Sequence, residues 1–132
     1  MTEARQAAIV AEITTTDEAG KHFTERYAQD DLAELEEAGL IEFERPIHAA
    51  TSLPYAQEYW SVMVTDDGRA LVDAYEDRWY DEAERRVEKL FADDAGARAF
   101  CLADWPEGDG HWRWLIVADV EGIRAWIAAG GE

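Results

Sequence analysis

The sequence predicts an α+β fold, and three observations carry the prediction. The stretch Gln57 to Val72 (QEYWSVMVTDDGRALV) alternates aromatic and β-branched residues, suited to a pleated, partly buried strand, and then runs into a threonine placed to cap a helix. Upstream, Leu32, Leu35 and Ala38 share one helical face, and Gly39 stands where a helix turns left-handed before Leu40 folds back onto Leu35. From residue 66 onward, apolar residues recur at helical spacing.

Taken in order, Glu3 to Ile13 carries Ala7, Ala8, Ile9, Val10 and Ile13 in a helix-compatible pattern. The threonines 14 to 16 end it and cap a short helix from Asp17 to His22. His22 to Tyr27 is either a short strand or a linking turn, and Gln29 to Ala38 is the third helix. A strand near residues 40 to 45 breaks at Arg45-Pro46, a loop runs from Ile47 to Ala56, and a second strand over 58 to 65 pairs antiparallel with the first. Thr65 then caps the next helix, with Asp66 and Asp67 in its first turn, where free N–H groups and the helix dipole favour negative charge.

The segments Leu32 to Ile41, L-x-x-L-x-x-x-G-L-I, and Thr65 to Val72, opening T-x-x-G-R-A-L, occur in this order with a gap long enough for two strands and a loop. In this the chain resembles the winged-helix family over roughly residues 1 to 92. The resemblance implies a winged-helix-like core, with the loop as wing and Gln29 to Ala38 in the place of the recognition helix. It bears on fold more than on function.

Residues 66 to 92 are expected as one long helix with an apolar stripe of Val72, Tyr75, Trp79, Ala83, Val87, Leu90 and Phe91. About 27 residues span roughly 40 Å. Either residues 97 to 132 cover the stripe or a second subunit does, giving a monomer or a homodimer through the long helix. The tail is expected as a β-hairpin backed by a helix: strands Ala97 to Ala103 and His111 to Asp119 around the turn DWPEGDG, then a helix from Glu121 to Ala129. Trp112, Trp114 and Ile116 would share one strand face. At 132 residues the chain is expected as a single domain, with 1–92 as the winged-helix-like core and 97–132 as an appendage.

Thirty acids against twelve bases give a net charge of −18, which opposes binding to a phosphate backbone. With 48% hydrophobic residues and six Trp, the acidity does not imply disorder. The single cysteine, Cys101, permits no internal disulfide. No apolar run of transmembrane length or signal-like N-terminus occurs, so a cytoplasmic protein without membrane association is expected.

Little catalytic chemistry is legible. Cys101 lies between Phe100 and Leu102 with no base nearby in sequence, which suits a core thiol. His22, His48 and His111 are too dispersed for a metal motif and suit surface or loop positions. Asp104, Glu107 and Asp109 miss the calcium-loop spacing. There is no Gly-rich phosphate loop or nucleophile elbow. No enzyme, cofactor or metal is expected.

The acids themselves carry the functional reading. A DNA-reading helix needs Arg, Lys, Asn or Gln at base edges, but the third helix offers Asp30, Asp31, Glu34, Glu36 and Glu37, and from Asp30 through Glu42 and Glu44 there are seven acids and no base. The loop after it holds no Lys or Arg. Carboxylates at i, i+3 and i+4 stand about 5 to 6 Å apart, comparable in scale to phosphates along a duplex, so acidic helices can occupy a basic DNA-binding groove. By physical type alone, the chain is similar in size and charge to the small DNA-mimicking inhibitors of phages and mobile elements, anti-restriction and anti-CRISPR proteins among them. The expected function is a non-enzymatic protein-interaction module that blocks a nucleic-acid-binding protein. Its expected contacts are the acids just named, Asp73, Glu76, Asp77, Asp81 and Glu84 on the long helix, and Trp105 at the tail's turn. The alternative is a winged-helix transcription regulator from a halophile: the chain has only two lysines, an acid-rich, lysine-poor composition suits a salt-loaded cytoplasm, and Arg26, Arg45 and Arg113 would supply a basic patch.

Overall fold

A computed structural model describes residues 1–14, 29–55, 61–106 and 109–131. The expected short helix Asp17 to His22, the strand or turn His22 to Tyr27, and the opening of the second strand at Gln57 to Trp60 lie outside the described residues. Within them the chain is α+β: helices α1 (Glu3–Thr14) and α2 (Gln29–Glu37), strands β1 (Ile41–Glu44) and β2 (Ser61–Val64), then helices α3 (Asp66–Tyr75), α4 (Trp79–Leu90), α5 (Ala95–Cys101), α6 (Asp109–Val117) and α7 (Val120–Ala128). It divides into two compact units, Met1–Ala74 and Tyr75–Glu132. Residues 75 to 92, expected with the N-terminal core, therefore group with the tail.

In the first unit, α1 buries Ala7 through Ala11 and Ile13, since a helix apolar on nearly every side must be enclosed. Leu32 and Leu35 of α2, Ile41 of β1, Val62 of β2 and Val72 of α3 complete this core. Gly39 (φ +77°) ends α2 as expected, its N–H donating to Glu36 O at 3.0 Å and that of Leu40 to Leu35 O at 3.0 Å, which satisfies two terminal carbonyls. β1 and β2 pair antiparallel in the register Ile41 with Val64 and Glu44 with Ser61. The Thr65 hydroxyl then donates to Gly39 O at 2.6 Å and accepts from Gly68 N–H at 3.1 Å. One side chain thus ties the end of α2 to the start of α3.

Gly68 is where α3 presses on that turn. A Cβ there would collide with the backbone carbonyl oxygen of Leu40 and sit 2.9 Å from Val64 Cγ1, so the backbone would have to shift. Gly68→Ala is expected to lower stability by about 1 to 3 kcal/mol, although Ala is the better helix former. Chemical denaturation followed by far-UV circular dichroism measures it, and a stabilised variant would refute the close approach.

In the second unit, α4 buries Trp79, Ala83 and Val87, with Phe91 just past its end, and packs along α6, whose Leu115 and Ile116 are buried. Arg86 donates to the carbonyls of Leu115 and Ala118 at the end of α6, and Arg98 to those of Phe91 and Ala92 at the end of α4. Each arginine places positive charge where the helix dipole is negative. Asp94 and Asp119 cap the next helices, accepting from Ala97 N–H at 3.0 Å and Gly122 N–H at 2.7 Å.

The expected long helix is two: α3 stops at Tyr75 and α4 restarts at Trp79, with Arg78 N–H turning back to Tyr75 O at 2.9 Å. Asp73, Glu76 and Asp77 crowd negative charge where the dipole of α3 is already negative, with no base in its last turn to offset it. The apolar stripe itself is correct: all of it but the half-buried Leu90 is buried within the single chain, so nothing in it calls for a second subunit.

The C-terminal β-hairpin is also absent. Residues expected as strands form α5 and α6, and only the last helix matches. In α6 the buried residues are His111, Leu115 and Ile116, at helical spacing, whereas Trp112 and Trp114 are half-buried and share no strand face. Their strand preference reflects how they pack on a sheet, and with a helix as neighbour that advantage does not arise.

Candidate functional site

The acidic surface is built on α2 and β1, whose positions are fixed by the Gly39 turn. Asp30 and Glu37 are exposed on α2, and Glu42 and Glu44 project from the outward-facing side of β1 by the alternation of the strand. None of these four makes an ion pair with a described residue.

The other three acids of the segment have cationic partners. Asp31 accepts from Arg5 at 3.1 Å, and Glu34 lies 3.1 Å from the N-terminal ammonium. Glu36 takes both arms of Arg45, at 3.0 and 2.7 Å, and also accepts the N–H of Phe43 at 3.3 Å. The Arg45 hydrogen bonds, helped by that backbone N–H, hold the Glu36 carboxyl below its ordinary pKa. A forked, charge-assisted pair of this kind fixes β1 against α2. The sequence thus places all seven acids together, and the structure divides them into four available for contact and three committed internally.

The acids expected on the long helix separate in the same way. Asp73, Glu76, Asp77 and Asp81 are exposed, whereas Glu84 accepts from the hydroxyl of Tyr80 at 3.2 Å. That hydrogen bond, with the carboxylate charge behind it, raises the Tyr80 pKa above its ordinary value. Asp73 belongs to the first unit and the other four to the second.

Trp105 is not a free anchor. Its indole N–H donates to Phe100 O at 3.0 Å, and its ring meets Phe100 at 4.9 Å and Trp126 at 5.3 Å in tilted or edge-on contacts. Trp114 joins the same cluster through Trp126 at 5.3 Å. The tail's aromatics therefore serve each other, at the geometries their quadrupoles prefer.

His111, expected at the surface, is buried: it meets Trp105, Trp112 and Trp126, and its Nε2 lies 2.8 Å from Cys101 O. Cys101 is fully buried, and burial pushes its thiol pKa up, away from the reactive thiolate. His48 is exposed and stacks on Tyr55 at 3.7 Å. Asp104 is exposed, while Glu107, the side chain of Asp109, His22 and Arg26 lie outside the described residues. Among the described residues no group of three His, Cys, Asp or Glu could hold a metal ion, and no helix is long and apolar enough to cross a membrane.

Sequence reasoning missed Ile47 and Leu53. They are 63% and 62% exposed on a small hairpin closed by a bridge between Ile47 and Pro54. The available signal was compositional: residues 46 to 55 contain no charged side chain, in a chain of net charge −18.

No family model, curated protein or solved structure matches the chain.

Proposed function

We propose that the first unit is a winged-helix-like scaffold whose acidic face binds a basic, nucleic-acid-binding protein and denies it access to DNA. The observation behind this reading is the set Asp30, Glu37, Glu42 and Glu44, exposed on adjoining backbone elements and without ion pairs to described residues. Alternate hydrogen bonding, the Gly39 turn and the Thr65 bridge hold these elements, so the carboxylates meet a partner from fixed backbone positions. On a duplex the same helix would set negative charge against phosphate, and the bases beside it, Arg5 and Arg45, are engaged by Asp31 and Glu36.

The test begins with affinity capture from the native host, followed by competition. The recovered partner is expected to be a basic nucleic-acid-binding protein that loses its hold on a DNA duplex as this protein is titrated in. A partner that holds DNA and this protein together refutes the blocking mechanism. Sequence-specific duplex binding by this protein itself, strengthening from low to multimolar salt, would establish the regulator reading instead.

A further inference from the structure

Resting on the basic-partner reading above, we infer that the hairpin tip carrying Ile47 and Leu53 is the apolar anchor of the contact. Its occupant is a protein surface in which an apolar pocket is flanked by Lys or Arg.

Isolated exposed aliphatics are ordinary on a protein surface. Here, however, the backbone is organised to hold two of them out. His48 N–H donates to Leu53 O, Ser52 N–H to His48 O and Tyr55 N–H to Pro46 O, each at 2.9 Å. The His48 and Tyr55 rings stack at 3.7 Å, and Ser52 takes φ +59°, a conformation unusual outside glycine. A segment tied at this many points loses little conformational freedom on binding, which favours contact through its tip.

Charge selects the occupant. The tip is an uncharged island bordered by Glu44 and by Arg45, whose charge Glu36 already pairs, and Glu42 pairs across the sheet with Met63, itself 51% exposed. Ile47 pairs with Pro54 and His48 with Leu53, so the two aliphatics stand on opposite faces of the hairpin and the tip enters a pocket edge-on; the acids beside it call for a basic rim opposite. A second copy of a chain of net charge −18, or an anionic bilayer, would be repelled at the same border.

Two synthetic peptides of equal positive charge test this on the full chain: an oligolysine spaced by glycine, and the same peptide with leucines in place of the glycines. By calorimetry at low salt the leucine-bearing peptide is expected to bind about tenfold more tightly. The double change Ile47→Ser, Leu53→Ser should abolish that preference and leave the oligolysine affinity unchanged; both side chains are exposed, and circular dichroism verifies the fold. Equal affinity for the two peptides, or a preference that survives the double change, overturns the inference and leaves the basic-partner reading standing. Binding of neither peptide overturns both. Dimerisation of the free protein in sedimentation that the double change removes would assign the tip to a second copy. Co-sedimentation with phosphatidylcholine vesicles that the double change removes would assign it to lipid. Either result overturns the inference.

Discussion

Replacing Trp79 by Ala is expected to lower stability by about 3 to 5 kcal/mol. Trp79 opens α4, is 1% exposed, stacks near Tyr75 at 5.8 Å and lies 5.9 Å beneath the guanidinium of Arg113. Truncation removes the whole ring and leaves a cavity that the neighbouring helices can only partly close. The indole also carries a cost, because its buried N–H has no hydrogen-bond partner among the described residues. Trp79→Phe keeps much of the apolar ring and removes that donor, so its expected loss is only about 1 kcal/mol. Urea unfolding distinguishes the two: the midpoint should fall far more for Ala than for Phe, with little change in slope. A loss below about 1 kcal/mol for Trp79→Ala would show that this stripe is not a core.

The fold was most legible where one residue type answers one backbone need. Gly39 supplies a positive φ and Thr65 a capping hydroxyl, so the end of α2, the strand pair and the start of α3 follow from local chemistry. The tail was misread because its signals are ambiguous over short windows. Phe100 and Leu102 flank Cys101 as they would in a strand, and only Asp94, whose carboxylate accepts from Ala97 N–H, marks a helix start. The split between α3 and α4 was likewise hidden in a continuous apolar stripe, since periodicity reports which residues are buried and not whether the backbone between them stays helical.

Composition made the acidic segment visible but could not sort it. Asp31 is matched by Arg5 and Glu36 by Arg45, partners 26 and 9 residues away, which no local pattern reveals. The reverse happened at the hairpin, where Ile47 and Leu53 belong to a segment with no charges and a bend at Ser52 that only the folded backbone discloses.

That sorting determines which carboxylates to neutralise. The quadruple change Asp30→Asn, Glu37→Gln, Glu42→Gln and Glu44→Gln keeps side-chain shape and leaves the pairs of Asp31, Glu34 and Glu36 intact. Folding should be preserved, because no described ion pair is lost and like-charge crowding is relieved. If these groups stand in for phosphates, each desolvated contact with an Arg or Lys is worth about 1 to 3 kcal/mol, so affinity for the captured partner should fall by several decades. The fall should shrink as salt screens the wild-type pairing. A matched control, Glu88→Gln, Asp93→Asn, Asp104→Asn and Glu121→Gln, removes the same charge from exposed sites in the second unit. It should slow association slightly and leave dissociation unchanged, because remote charges steer encounters while contacting ones set residence time. Equal losses from the two sets would show that net charge alone attracts the partner, and no loss from either would remove the acidic face from the binding mechanism.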